Sequence, residues 1–335
     1  MNNKITDATI LVTGGVGFIG SHLTDHLLSL GYKVTVIDNL ANGNLGNVAD
    51  AQEKSNFTFV EGDILDKQLC LEVAKNCSYI FHLACLGVRH SIHSPLENHR
   101  VNAEGTLNVL EAARQNKVKH FFYISTSEIY GRTTSFPITE EAATAPLTVY
   151  GASKLVGEHY TNAYNECYGL HTTVLRIFNN YGPRAHYEGD AGEIIPRSIV
   201  RILNNEKPII FGDGLITRDF FFVKDTARAL AGLIDNPDIN YKTFNIGTGV
   251  EYTMKDLLLK VLELMDRQDL GLEYLPDRPA DVPRLWVKAD KFYAATHFKA
   301  NYTFEDGLKE TIQYYVDLSK TKNLIKDIKI NNWEK

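Results

Sequence analysis

Short apolar runs alternate with amphipathic stretches along the first half of the chain. Residues 9–13, TILVT, are β-branched and apolar and lead directly into GGVGFIG. After that turn Ile19, Leu23, Leu27 and Leu30 recur at helical spacing and Gly31 stops the pattern, so a helix is predicted over 18–30. Further strands are predicted at 33–38, 57–63, 79–84, 120–126 and 172–178, with helices around 98–116 and 150–168. Strands that are apolar on both faces and separated by helices belong in a parallel sheet covered on both sides. The expected fold is therefore α/β, a Rossmann-type doubly wound parallel sheet.

Polar residues punctuate this pattern as regularly as the apolar runs build it. The six predicted strands end in TGG, DN, GD, HLACL, STSE and FNN. In a parallel sheet all carboxyl ends lie on one edge, where open α/β sheets bind their ligands. Six polar tips thus converge on one crevice, and STSE (125–128) is expected to meet YGASK (150–154) there. Beyond about residue 180 the pattern changes. An irregular stretch, YGPRAHYEGDAGEIIP, is followed by short strands in KPIIFGDG, RDFFFVKD and FNIGTG, with helices near 224–235 and 253–265. The expected division is a dinucleotide-binding domain over 1–178, with segments at about 212–248 returning to it, and a smaller, interleaved C-terminal α/β substrate lobe mainly over 179–335.

Composition narrows the class without choosing a function. The 335 residues are 44% apolar and 23% charged, ordinary for a globular enzyme. A net charge of −6 with no basic block argues against nucleic acid as a partner. No apolar run approaches membrane-spanning length, and Met1–Asp7 is polar with no signal-peptide core, so a cytoplasmic protein with no membrane partner is expected. Cys70, Cys77, Cys85 and Cys167 form no C-x-x-C pair and read as reduced thiols. His90, His93 and His99 cluster, but no acid or cysteine completes a recognisable ligand set, and no metal is expected.

Two constellations carry chemistry. Gly14, Gly17 and Gly20 sit three apart at the first strand-to-helix turn, where glycine lets backbone N–H groups approach a pyrophosphate. Asp38 closes the second strand 18 residues after Gly20; a carboxylate there accepts from ribose hydroxyls and repels a 2′-phosphate, which favours NAD over NADP. Asp63, at the third strand tip, is either an adenine contact or a helix N-cap. The second constellation is Tyr150 and Lys154, at i and i+4 on one helix face. A free tyrosine titrates near pH ~10. A neighbouring ammonium and a positive nicotinamide would lower that value, so that the phenolate can take a proton from a sugar hydroxyl.

Taken together, TGGVGFIG, STSEIYG, YGASK, RIFNNYGP and RPADVP resemble the extended short-chain dehydrogenase/reductase family in its nucleotide-sugar branch, over essentially the whole chain. The resemblance implies tightly held NAD, a nucleotide-diphosphate sugar as partner, and a homodimer built on the helices around 98–116 and 150–168. It places Thr126 on the sugar O4, with Tyr150 as base and Lys154 beside it. It implies a cofactor site lined by Gly14, Gly17, Phe18, Ile19, Gly20, Asp38, Asn39, Asn42, Gly43, Asp63, Ile64, Leu83 and Ala84, with Asn102 supporting the active-site helix and Tyr150 and Lys154 completing it. Asn179, Arg218, Arg278 and Asp281 would bind the diphosphate and nucleoside, and Phe211 would lie against the base. Two arginines suit a diphosphate.

Members of this branch first oxidise the sugar at C4 and differ in what the 4-keto sugar does next. Plain 4-epimerases usually lack an acid two positions after the Thr; here Glu128 stands there, after Ser127. A 4-ketone acidifies the C5 hydrogen, which a carboxylate could remove, leading to loss of water across C5 and C6. Thr-Ser-Glu resembles GDP-mannose 4,6-dehydratases and UDP-glucuronate decarboxylases, whereas dTDP-glucose dehydratases carry Thr-Asp-Glu. The acidic stretch HYEGDAGE argues against a C5 carboxylate on the substrate, although Arg89 and Arg184 could meet one. The long nucleotide-binding signature of the GDP-mannose enzymes is missing, so a UDP- or dTDP-hexose is expected. The reading is an NAD-dependent 4,6-dehydratase using Thr126, Ser127, Glu128, Tyr150 and Lys154. The alternatives are a 4-epimerase, a UDP-glucuronate decarboxylase and, distantly, a non-catalytic NAD-binding sensor.

Overall fold

The computed structural model of the chain describes residues 8–278 and 281–334. Pro279 and Ala280 of RPADVP, and the polar start Met1–Asp7, lie outside the described residues. Seven strands form the main sheet: β1 (Thr9–Thr13), β2 (Lys33–Asp38), β3 (Phe57–Glu61), β4 (Cys77–His82), β5 (His120–Thr126), β6 (Thr172–Ile177) and β10 (Lys242–Ile246). All pairings are parallel, and the order is β10-β6-β5-β4-β1-β2-β3. The chain changes direction across the sheet between β1 and β4, which opens a crevice at their carboxyl ends.

The alternation of strand side chains explains why the sheet is covered on both faces. Ile10 and Val12 of β1, Tyr79 and Phe81 of β4, and Phe122 and Ile124 of β5 enter one core. Leu11, Ile80, Phe121 and Tyr123 from the same strands enter the other. Helix α1 (Phe18–Ser29) follows the glycine turn and packs against Val223–Ala231. On the opposite side, three consecutive segments, Pro95–His99, the π-helical Arg100–Gly105 and Thr106–Gln115, make one helix, α2, which packs against α3 (Val149–Tyr168).

Strand bounds differ from the sequence reading mainly at the tips. β3 ends at Glu61 rather than 63 and β4 spans 77–82 rather than 79–84, so Asp63, Leu83 and Ala84 stand in loops over the crevice. The second half is assembled from short pieces. β7 (Asn179–Tyr181), β9 (Thr217–Phe222), β11 (Glu251–Thr253) and β13 (Arg284–Leu285) form one small sheet, and β8 (Ile209–Phe211) pairs with β12 (Glu273–Leu275). Its own core gathers Ile195, Ile199 and Ile202, Leu257, Leu258 and Val261, and Phe220 with Phe222.

Candidate active site

The glycine turn is shaped by close approach. Gly14 has φ +70°, and a Cβ on it would lie 2.8 Å from the Ala84 nitrogen. A Cβ on Gly20 would lie 2.1 Å from the Gly14 carbonyl oxygen, so the helix can seat on the strand only with glycine there. Gly17 caps α1 with extended backbone and no side-chain hydrogen bond, leaving the first N–H groups of the helix free for an anion.

Behind the turn runs a buried relay. His82 is fully buried, and burial holds its pKa down near 3, so its ring is neutral. Thr106 gives its hydroxyl proton to the Asn102 carbonyl (2.7 Å) and so accepts from His82 Nε2 (2.8 Å). His82 Nδ1 is then the acceptor for Thr13 (2.7 Å), whose oxygen takes the Leu83 and Ala84 N–H groups, each at 3.2 Å. This chain fixes the loop that faces the glycines.

Asp38 ends β2 with its carboxylate accepting from Leu40 N (2.9 Å) and Val16 N (3.3 Å), while burial pushes its pKa up. Asp63 accepts from Leu65 N (2.8 Å) and Asn39 Nδ2 (3.0 Å), so it braces the two strand tips as well as facing the cavity.

One cavity of about 480 Å³ joins this end to the other motifs. Gly14, Gly17, Phe18, Ile19, Gly20, Asp38, Asn39, Asn42, Gly43, Asp63, Ile64, Leu83 and Ala84 line one end, Thr126, Ser127, Glu128, Tyr150 and Lys154 the middle, and Asn179, Arg218, Arg278 and Asp281 the other end. Two expected residues do not line it. Asn102 is buried in the π-helical segment, where it accepts from Leu86 N (2.8 Å) and donates to Leu86 O (2.9 Å) and Ser153 Oγ (3.3 Å). Its amide joins the loop after β4 to α3, a supporting role rather than a cofactor contact. Phe211 sits one layer behind the wall, its ring against Trp333 and Arg278.

The middle of the cavity answers why STSE ends a strand. Thr126 is the last residue of β5, its hydroxyl accepting from Glu128 N (3.2 Å) and facing the same cavity as the Tyr150 phenol. Helix α3 can approach because Gly151 and Gly157 are small: Cβ atoms there would lie 3.0 Å from the Glu128 carbonyl oxygen and 2.1 Å from the Tyr123 hydroxyl. Lys154 is buried, donates from Nζ to the Ile124 carbonyl (2.5 Å) and lies 4.4 Å over the Tyr123 ring. The expected lowering of the Tyr150 pKa by Lys154 is not what the protein alone produces. Burial drives the phenol well above its ordinary value, with Cys85 adding to it and the Thr126 hydroxyl opposing. The ammonium is itself desolvated, which lowers its pKa.

Beyond Tyr150 the cavity is built from charges in pairs. Arg89 forks onto Glu193 at 3.1 and 3.2 Å. Arg218 and Arg278 share Asp281, each with a contact at 2.8 Å. Burial raises the Glu128 pKa; Arg218 and Arg89 pull it down, and Asp281 and Glu193 push it up. Arg184, a cation the sequence seemed to offer, is held by Asp25 at 2.8 Å instead. The acidic stretch likewise has partners: Asp190 meets His93 (2.8 Å) and Glu188 meets His186 (3.0 Å). Asn179 Nδ2 is buried with no partner among the described residues, a donor suited to a diphosphate oxygen. The sequence reading counted Glu193 only as part of the acidic stretch HYEGDAGE and missed its pairing with Arg89, and it missed Trp333, one of two tryptophans, which carries no local motif.

The match to known proteins follows the same span. The family model described as GDP-mannose 4,6 dehydratase matches residues 11–311. The chain belongs to that family. Its relatives are nucleotide-sugar enzymes of the extended short-chain dehydrogenases/reductases: dehydratases, epimerases and decarboxylases. A putative UDP-glucose 4-epimerase of Methanocaldococcus jannaschii is 35% identical over 93% of this chain and 100% of its own length. A dTDP-glucose 4,6-dehydratase of Streptomyces niveus is 33% identical over 92% of this chain and 93% of its own. The crystal structure of DesIV, a dTDP-glucose 4,6-dehydratase from Streptomyces venezuelae with NAD and TYD bound, superimposes with a TM-score of 0.88 at 29% identity, covering 93% of this chain and 98% of that one. No helix among the described residues is long and apolar enough to cross a membrane.

Proposed function

We propose that the chain is an NAD-dependent nucleotide-sugar 4,6-dehydratase acting on a UDP- or dTDP-hexose. The observation that carries the reading is Glu128, a carboxyl facing the same cavity as the Thr126–Tyr150 pair and raised in pKa by burial. The glycine turn and Asp38 fit a dinucleotide: free helix N–H groups for a pyrophosphate, and a carboxylate for ribose hydroxyls. NAD, when bound, supplies the hydride acceptor for C4 and the hydride donor for C6.

The chain's own residues move the protons. Tyr150 acts as phenolate, a form that burial disfavours in the protein alone and that the positive charge brought by NAD, when bound, would favour; as phenolate it takes the O4 hydroxyl proton, and the Thr126 hydroxyl beside it holds O4. The ketone so formed acidifies the hydrogen at C5. Glu128, as carboxylate, accepts that proton, and as carboxylic acid then gives it to O6, so the C6–O bond breaks, water leaves and a C5–C6 double bond remains; when hydride returns to C6, C5 takes a proton from solvent, delivered through Glu128. A raised pKa suits a group that must hold the proton between the two transfers. Ser127, buried beside it, is a hydroxyl that can hydrogen-bond the departing O6.

Charge supports a neutral hexose. Among the described residues of the cavity, Arg89 is paired with Glu193, and Arg218 and Arg278 share Asp281 toward the diphosphate end, which favours a sugar without a C5 carboxylate. The Tyr150–Thr126 pair alone would serve a 4-epimerase, the activity in the name of the Methanocaldococcus jannaschii relative. An NMR time course in D₂O with UDP-glucose, UDP-GlcNAc, UDP-glucuronate and dTDP-glucose separates these. A C6 methyl with deuterium at C5 is expected. Interconversion at C4 without deuterium, or loss of carbon dioxide from UDP-glucuronate, would overturn the proposal.

A further inference from the structure

The C-terminal segment runs back across the second lobe and ends in the cavity. Leu324 is buried in that lobe's core, and the Asp327 carbonyl accepts from Gly189 N (3.0 Å). Arg197 Nη2 donates to the carbonyls of Lys329 (2.7 Å) and Ile330 (2.9 Å). Asn332, fully buried, donates to the Gly192 carbonyl at 2.9 Å. Here four hydrogen bonds deliver Trp333 to the cavity wall, where its ring meets Phe211 edge-to-face with centroids 5.0 Å apart. The Arg278 guanidinium, which also lines the cavity, lies 5.4 Å from the Phe211 ring centroid.

We propose that Trp333 is the aromatic wall against which the nucleobase of a nucleoside-diphosphate sugar packs, with Phe211 bracing the indole from behind. The inference rests on the nucleotide-sugar reading above. Three observations converge on it. Trp333 lines the cavity whereas Phe211, the aromatic singled out by the sequence, does not. Arg278 ties the aromatic corner to the Asp281-linked arginine pair, so a base at the indole would place its diphosphate toward Arg278 and Arg218. The anchoring residue Gly192 is followed by Glu193, which holds Arg89, so the segment that presents the indole is continuous with the charged reacting end. A half-exposed indole offers a flat apolar face with little conformational freedom to lose, which suits a planar base.

The test is calorimetric titration of full-length protein with UDP, dTDP, GDP and ADP, alongside turnover and NAD content. For whichever nucleotide the wild type binds, Trp333→Ala should bind about tenfold more weakly. KM for the sugar nucleotide should rise in step, with kcat and NAD content within about twofold, and Trp333→Phe should recover most of the affinity. Unchanged affinity in Trp333→Ala, or a fall in kcat and melting temperature without a change in affinity, would overturn the assignment while leaving the nucleotide-sugar reading intact. A wild type that binds none of the four would overturn both.

Discussion

The two ends of the cavity are built on different physical terms. At the β1–β2 end the lining is backbone and small residues, placed by steric fit: Gly14 against Ala84, Gly20 against Gly14, and N–H groups held toward a ligand. At the far end it is long charged side chains in pairs, Arg89 with Glu193 and Asp281 between two arginines. The first arrangement recognises a shape common to all dinucleotides. The second balances charge, so replacing one member alters the field felt by every neighbour. Tyr150 and Glu128 lie between the two, and chemistry belongs to the junction rather than to either end.

The largest expected effect comes from breaking that junction. Tyr150→Phe removes the group that takes the O4 proton while leaving its volume. Turnover should fall about 10³-fold. NAD content, read from the denatured supernatant, should stay unchanged, because the glycine turn and Asp38 are untouched. Retained turnover would show that the junction does not carry the chemistry, and would favour the sensor reading.

Glu128→Gln should come next, lowering dehydration about 100-fold and abolishing deuterium uptake at C5. It also has a signature in stability. Burial raises the Glu128 pKa, so the folded state holds this proton more tightly than the unfolded chain, whose glutamate titrates near ~4.3. The stabilising contribution is complete below that unfolded value and is lost as pH rises through the raised folded value. Glutamine is neutral throughout. The variant should therefore melt higher than wild type at pH 8, and the gap should close toward pH 4. Thermal melts at the two pH values check this; a variant that melts lower at pH 8 would mean that the arginines outweigh burial.

The same contrast explains what could be read in the sequence. The sheet was legible because β1, β4 and β5 are apolar on both faces, and the cofactor end because its glycines lie within one short stretch of the chain. Thr126, Tyr150 and Lys154 were legible from spacing and from the convergence of strand tips. The paired charges were not: Arg89 and Glu193 are 104 residues apart, and neither residue announces the other. Trp333 was invisible for the same reason, since it reaches the cavity only through Arg197 and Gly192, more than a hundred residues upstream. Spacing brought Tyr150 and Lys154 to the cavity, and it shows a lysine one helical turn from the phenol but not that its ammonium is turned to the Ile124 carbonyl.

Asp38→Asn sharpens the comparison at its steric end and should have the smallest effect. The Asp38 carboxylate already accepts from Leu40 N and Val16 N, and asparagine keeps one oxygen for the shorter of these bonds. The amide that replaces the other oxygen would face the Val16 N–H, donor against donor, so the loop should relax locally without losing the glycine turn. The negative charge that opposes a 2′-phosphate is removed. NAD affinity should fall and the preference for NAD over NADP should narrow by about tenfold, the equivalent of ~1.4 kcal/mol. Titrating the cofactor-free variant with each dinucleotide gives both numbers. An unchanged ratio would mean that steric fit alone excludes the 2′-phosphate, and that charge has no part in recognition at this end of the cavity.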